Sequence, residues 1–153
     1  MMDVSIEKIK QLREKTKAGI ADCRKALEET TGDFKKAQEL LKSWGIDKAA
    51  KKAERAVGAG LVETYIHADG RIGAMVEVNC ETDFVARTDE FKKLVHEIAM
   101  QVAAMDPSDV EELLKQEYIR DSSKTVDELV KETVAKLGEN IVVKRFMRFE
   151  LGR

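Results

Sequence analysis

Cysteine is scarce in this 153-residue sequence: Cys23 and Cys80 stand far apart and could form one bridge at most. A disulfide framework is therefore excluded, and a reducing, cytoplasmic compartment is expected. Neither cysteine has a second Cys or His at metal-ligand spacing, so no metal site is expected. Long apolar runs are also missing. A bilayer span needs about 18 consecutive apolar residues, and none is available. Met1 to Lys10 carries charges at short intervals and lacks the apolar run of a signal peptide, so a soluble protein with no membrane partner is expected. An excess of one charge is absent as well. Charged residues make up 37% of the chain, yet 27 Lys+Arg face 29 Asp+Glu, for a net charge of −2. Binding a phosphate backbone calls for a sustained positive excess on one face. Direct nucleic-acid binding is not expected, although a local basic patch remains open.

The nine glycines never form Gly-x-Gly-x-x-Gly, and no Gly-x-x-x-x-Gly-Lys-Ser/Thr occurs, so the chain carries no nucleotide-binding fingerprint of its own and no cofactor is expected. Catalysis would need a nucleophile, a base and an orienting group brought together. The histidines, His67 in a turn and His96 beside an apolar helix stripe, read as surface or boundary residues. Cys23 and Cys80 read as small buried hydrophobes. A Cys80–His96 dyad stays open as a hydrolase reading, but no catalytic residue is assigned. The carboxylates are scattered over solvated helix faces.

What is present is periodicity. Ile6, Ile9 and Leu12 recur at helical spacing after Ser5, a candidate N-cap. Cys23, Ala26, Leu27 and Thr30 continue in a second helix closed by Gly32. Phe34, Ala37, Leu40, Leu41 and Trp44 form the stripe of a third, expected to end at Gly45. Residues 1–46 are thus expected to be a three-helix bundle with Trp44 as its largest core residue. Asp47 to Val57 is rich in Ala and Lys and reads as a helical linker, and Val57-Gly58-Ala59-Gly60 marks a boundary, so the linker spans 47–60. Residues 61–153 are expected to form an α+β domain. Leu61–His67 and Ile72–Asn79 make a hairpin around Asp69-Gly70. A helix carries Phe91, Leu94, Val95, Ile98, Ala99 and Val102, and Pro107 stops it. Ser108 with Glu111 and Thr125 with Glu128 read as capping boxes of two further helices, the first running through Leu113, Leu114 and Tyr118. A last strand places Ile141, Val143, Met147, Phe149 and Leu151 on one face. The fold class is α+β, a helical bundle followed by a small antiparallel sheet packed with helices.

The strand-to-helix corner Asn79-Cys80-Glu81-Thr82-Asp83-Phe84-Val85-Ala86-Arg87 sets an acidic residue beside a bulky aromatic between two elements of fixed periodicity. Phe84 is then either an anchor for a pocket on another protein or the first core residue of the following helix. Arg13, Asp22 and the turn Ala18-Gly19-Ile20-Ala21 also lie where the chain changes direction. Arg13 and Asp22 could be surface charges tied to each other, and Ile20 and Ala21 could pack between helices.

Leu12-Arg13-Glu14-Lys15-Thr16 with Ala18-Gly19 and Asp22-Cys23-Arg24-Lys25-Ala26-Leu27, followed by Glu77-Val78-Asn79-Cys80-Glu81-Thr82-Asp83-Phe84-Val85-Ala86-Arg87, resembles the elongation factor Ts family. Gly138-Glu139-Asn140-Ile141 is similar to a third signature of that family. The resemblance implies a ubiquitin-associated-like N-terminal bundle. It also implies the activity of a guanine-nucleotide exchange factor for elongation factor Tu, the GTPase that carries aminoacyl-tRNA. Thr82, Asp83, Phe84 and Val85 would then enter the partner near its magnesium ion and promote its loss. Phe84 would wedge between partner helices, Asp83 would bond to partner groups, and Arg13, Ile20 and Ala21 would contact a partner helix. Such a protein makes no covalent bond and is not an enzyme in that sense. A binding module acting through Arg13 and Ile20 alone is the competing reading.

The sequence also departs from the family's pattern. Neither the second core subdomain nor the coiled coil of longer relatives is visible, so a homodimer supplying the second half is expected. The segment between Pro107 and Leu113 is shorter than in the short forms. Lys17 stands where glycine is common, and Ile20-Ala21 where larger apolar residues are often found.

Overall fold

The apolar spacing changes from helical to alternating near residue 59, and the architecture changes with it. The computed structural model describes residues 3–153. In chain order the elements are α1 (Ile6–Thr16), α2 (Ile20–Glu29), α3 (Phe34–Lys52), β1 (Ala59–Ile66), β2 (Ile72–Cys80), α4 (Asp83–Ala86), α5 (Asp89–Met105), α6 (Val110–Lys115), β3 (Glu117–Tyr118), β4 (Asp121–Thr125), α7 (Val126–Leu137) and β5 (Ile141–Glu150). The α+β class read from the sequence is the one observed.

Ser5 caps α1 by accepting from the Lys8 amide, and Asp33 caps α3 by accepting from Lys36 at 3.0 Å. The bundle core consists of Leu12, Cys23, Ala26, Leu27, Ala37 and Leu41. Trp44 is not its largest buried residue. It lies half-buried at the rim, and Lys25 places its ammonium 5.1 Å from the centre of its ring. Asp22 pairs with Lys48 on α3, not with Arg13.

The third helix does not end at Gly45 but runs on through Lys52, so the Ala- and Lys-rich stretch begins as a continuation of α3. Glycine inside a helix costs about 1 kcal/mol relative to alanine, which is why it reads as a stop. Here its missing side chain permits a close approach: a Cβ at Gly45 would lie 3.0 Å from the Cβ of Ala135 on α7. Lys42 reinforces the contact by reaching Glu128 and Glu132 of α7 at 3.8 and 3.3 Å. Ala49 is buried in the main core, so small side chains in this stretch pack against the α+β part and do not merely solvate.

The sheet is three-stranded and antiparallel in the order β1-β2-β5. Ala74, Val76, Val78 and Cys80 of β2 face the stripe Phe91, Leu94, Val95, Ile98, Ala99 and Val102 of α5. Opposite β2 the last strand carries a bulge: Glu77 pairs with Arg145 but Val78 pairs with Val143, leaving Lys144 as the extra residue. One extra residue transfers everything beyond it to the other face. Ile141 and Val143 are therefore buried, whereas Met147, Phe149 and Leu151 are 60%, 69% and 78% exposed. The single apolar face read from alternation is in fact two half-faces on opposite sides of the sheet.

The segment after Pro107 also differs from its reading. Asp109, not Ser108, caps α6 by accepting from the Glu112 amide at 2.7 Å, and Glu112, not Glu111, returns its carboxylate to Ser108. The helix ends at Lys115 and Tyr118 belongs to the small β3–β4 hairpin. This hairpin is fastened to α5 by the buried Glu97, which accepts from the Tyr118 hydroxyl at 2.8 Å and from Arg120 at 2.6 Å. Burial, joined by the Glu97 carboxylate, pushes the Tyr118 phenol up to about 12. Thr125 caps α7 as expected, accepting from Glu128 at 3.1 Å.

Candidate partner-binding corner

The corner between β2 and α5 is a four-residue helical turn, α4. Thr82 is its N-cap, with the hydroxyl accepting from the Val85 amide at 3.3 Å. Successive residues of a helix turn through about 100°, so when Val85 and Ala86 point inward, Phe84 points out. Val85 and Ala86 are 5% and 3% exposed, and Phe84 is 82% exposed. Of the two places open to it on sequence, Phe84 takes the solvent-facing one, and the first core aromatic of the following helix is Phe91. Thr82 and Asp83 are exposed beside it. The Asp83 carboxylate has no hydrogen-bond partner among the described residues.

The corner is held from behind. The Thr82 amide and hydroxyl donate to the two carboxylate oxygens of Glu139 at 3.0 and 2.7 Å. Glu81 accepts from the Asn140 amide at 2.8 Å. The Cys80 thiol donates to the Thr82 carbonyl at 3.2 Å. Burial pushes that thiol up, and the charges of Glu139, Asp83 and Glu81 add to the effect, so it is held as an unreactive thiol. His96 packs edge-on against Tyr65 with ring centres 5.8 Å apart. Cys80 and His96 thus have separate partners.

Arg13, Ile20 and Ala21 lie on a second surface, at the end of α1 and the start of α2. All three are exposed, Ile20 to 57%. The turn between these helices passes through Lys17 at φ +61°, the left-handed region that glycine occupies without strain. A cleft of about 380 Å³ opens between this turn, α3 and α7, lined by Lys15, Lys17, Lys42, Trp44 and Lys136. Neither Arg13, Ile20 and Ala21 nor Thr82 to Val85 line it. Val85 differs from the rest of the candidate set: it is part of the core and roots the turn that carries its neighbours. Glu81, Glu139 and Asn140 were not assigned a role by sequence reasoning. The available signal was the Gly138-Glu139-Asn140-Ile141 run, but its relation to the corner depends on strand register.

No helix among the described residues is long and apolar enough to cross a membrane, and no group of three or more His, Cys, Asp or Glu residues there could hold a metal ion.

A family model described as "Elongation factor TS" matches residues 81–153. Elongation factor Ts of Coprothermobacter proteolyticus is 45% identical over 196 aligned positions, covering 99% of this chain and all of the relative. That of a Nostoc species is 51% identical over 151 positions, covering 99% of this chain and 48% of the relative. The chloroplastic elongation factor Ts of Guillardia theta is 42% identical and covers 90% of that relative. The Coprothermobacter alignment exceeds the chain's 153 residues by at least 43 positions, which that relative has and this chain lacks. The Nostoc alignment needs no such gap.

Proposed function

The chain belongs to the elongation factor Ts family, placing it in the elongation phase of protein synthesis, and from that membership we propose that it is the guanine-nucleotide exchange factor of elongation factor Tu. It would act in the cytoplasm by binding the GDP-bound GTPase, loosening the partner's magnesium ion and releasing GDP so that GTP can enter. The observation that carries this reading is Phe84, 82% exposed on a turn whose other apolar residues are buried. Leaving so large an aromatic in water forgoes about 2–3 kcal/mol of burial, which docking in a partner pocket would recover. Phe84 would wedge between partner helices, Asp83 would offer its free carboxylate to partner groups, Thr82 would form the base of the turn and Val85 would anchor it. Magnesium ties nucleotide phosphates to a GTPase, so disturbing its ligands removes much of the grip on GDP.

In this reading residues 1–46 grip the nucleotide-binding domain of the partner through Arg13, Ile20 and Ala21, residues 47–60 connect, and residues 61–153 carry the wedge. No bond is made or broken. Linkage requires reciprocity: the factor by which this protein weakens GDP binding is the factor by which GDP weakens this protein's binding, each tenfold being about 1.4 kcal/mol. The complex is accordingly most stable without nucleotide, and GTP binding dissolves it. The test is release of a fluorescent GDP from elongation factor Tu with and without the protein. Acceleration by several orders of magnitude is expected, and no acceleration at micromolar concentration refutes the proposal.

A homodimer is the second element of the proposal, supported by the open face of the sheet. Val62, Ile66, Met75, Met147 and Phe149 are 62%, 63%, 49%, 60% and 69% exposed there, a group of apolar side chains of a kind seldom left to water, with the Glu77–Arg145 ion pair on the same face beside Val62. A second copy laid on it would give a sheet-on-sheet interface. A monomeric mass by light scattering at micromolar concentration sinks this part.

A further inference from the structure

We infer that Glu139 is a positioning residue for exchange: its carboxylate fixes the Thr82 end of α4 and thereby aims Phe84. The inference rests on the exchange reading above. The β2–β5 ladder ends at the pair Cys80–Ile141. One step further Glu81 faces Asn140, and one beyond that Thr82 faces Glu139. Beyond the last ladder pair the cross-strand acceptors are side-chain carboxylates, not backbone carbonyls. The Asn140 amide donates to Glu81 at 2.8 Å, and the Thr82 amide donates to Glu139 at 3.0 Å. Each strand end lends an acid to the other, so the pairing is prolonged up to the residue that caps α4.

A four-residue helix is far below the length that stabilises itself. Its direction must come from its ends. At its C-terminal end Val85 and Ala86 are fixed in the core. At its N-terminal end the whole donor capacity of Thr82 is taken by Glu139, because the hydroxyl proton goes to the second carboxylate oxygen at 2.7 Å. This leaves the hydroxyl lone pairs free to cap Val85. Held at both ends, the turn has one orientation for Phe84, and the ordering cost of docking is lowered.

The same three-residue run also ties in the bundle. Asn140 is buried, and its side-chain amide donates to the carbonyls of Ala53 and Arg55, just after α3, at 3.2 and 2.8 Å. Arg55 in turn lies 3.7 Å from Glu81. Gly138, at φ +77°, ends α7 and lets the chain reach the strand within these three residues. Asn140 thus sets the connector relative to the corner that Glu139 aims.

The test uses the full chain with elongation factor Tu and fluorescent GDP. Glu139→Ala is expected to lower the maximal release rate at least about tenfold, the loss of two hydrogen bonds to a charged acceptor, with a smaller change in the half-saturating concentration. Glu139→Gln, which keeps one acceptor for the Thr82 amide, is expected to recover part of the rate and serves if the alanine variant folds poorly. Added to Phe84→Ala, Glu139→Ala should cost little more, because both act through one ring. A general structural role would instead give losses that multiply. Amide hydrogen exchange gives a readout independent of activity: Thr82 is protected in the wild type and loses protection in Glu139→Ala. A wild-type rate in the alanine variant, multiplicative losses, or an unprotected Thr82 in the wild type overturns the inference alone. Absence of acceleration by the wild type removes the exchange reading, and this inference with it.

Discussion

Phe84 and Phe149 are both left largely in water, 82% and 69% exposed, yet they are presented in opposite ways. Phe84 stands alone on a turn, with polar Thr82 and Asp83 beside it and core residues beneath. Phe149 lies in a flat apolar field, across the sheet from Gly73 and beside Met147 and Met75. A lone projecting aromatic suits a pocket, where a few residues carry most of the binding energy. A flat apolar face suits another flat face, where area carries it. The difference shows that exposure alone does not identify a binding residue, because the support beneath the side chain decides what kind of surface it can meet.

The largest expected effect on this comparison comes from Phe149→Asp. In an interface repeated by twofold symmetry each substitution is met twice. For the homodimer proposed above, the dissociation constant, followed by sedimentation or light scattering, should rise about a hundredfold or more. GDP release at saturating protein should change less than about threefold, which would separate the flat face from the corner. Gly45→Leu comes next. It drives a branched side chain into Ala135 and should cost about 1–3 kcal/mol in denaturant unfolding. It should also slow exchange by displacing the bundle from the corner. A smaller effect, of opposite sign, is expected at the α1–α2 turn. Lys17→Gly relieves a left-handed residue and should stabilise the chain by about 0.5–1 kcal/mol.

A test of another kind concerns the fastening of the β3–β4 hairpin to α5. The Tyr118 phenol is raised from its ordinary 10 to about 12, first by burial and then by Glu97. The unfolded chain therefore gives up this proton first. The stability linked to Tyr118 is complete below pH 10 and declines as pH rises toward 12. Tyr118→Phe should flatten that part of the alkaline unfolding curve, and a curve of unchanged slope would assign the alkaline loss elsewhere.

The comparison also shows what the sequence could disclose. Helical and alternating stripes located α1, α2, α5, α7 and the β1–β2 hairpin because each has one buried face. The corner was visible because two such elements flank it, although the choice for Phe84 was not. That choice depends on Val85 and Ala86 turning inward over a core assembled from distant strands. Periodicity failed where a local rule met a tertiary contact. Gly45 reads as a helix stop until Ala135 arrives against it. Alternation after Ile141 holds only as far as the bulge at Lys144, a property of pairing with β2 that β5 alone does not encode. Glu139 and Asn140 stood out as a motif, but their partners lie 57 and 59 residues away.

The central claim is that Phe84 acts on another protein and not on its own fold. It is tested most directly by comparing wild type and Phe84→Ala in two measurements, the maximal rate of fluorescent GDP release from elongation factor Tu and the thermal midpoint of the protein alone. The account predicts a loss of about thirtyfold or more in rate, that of a binding hot spot, with the midpoint unchanged within about 2 °C, as for a surface substitution. An undiminished rate, or a rate that falls only as far as the fold itself is lost, would contradict it.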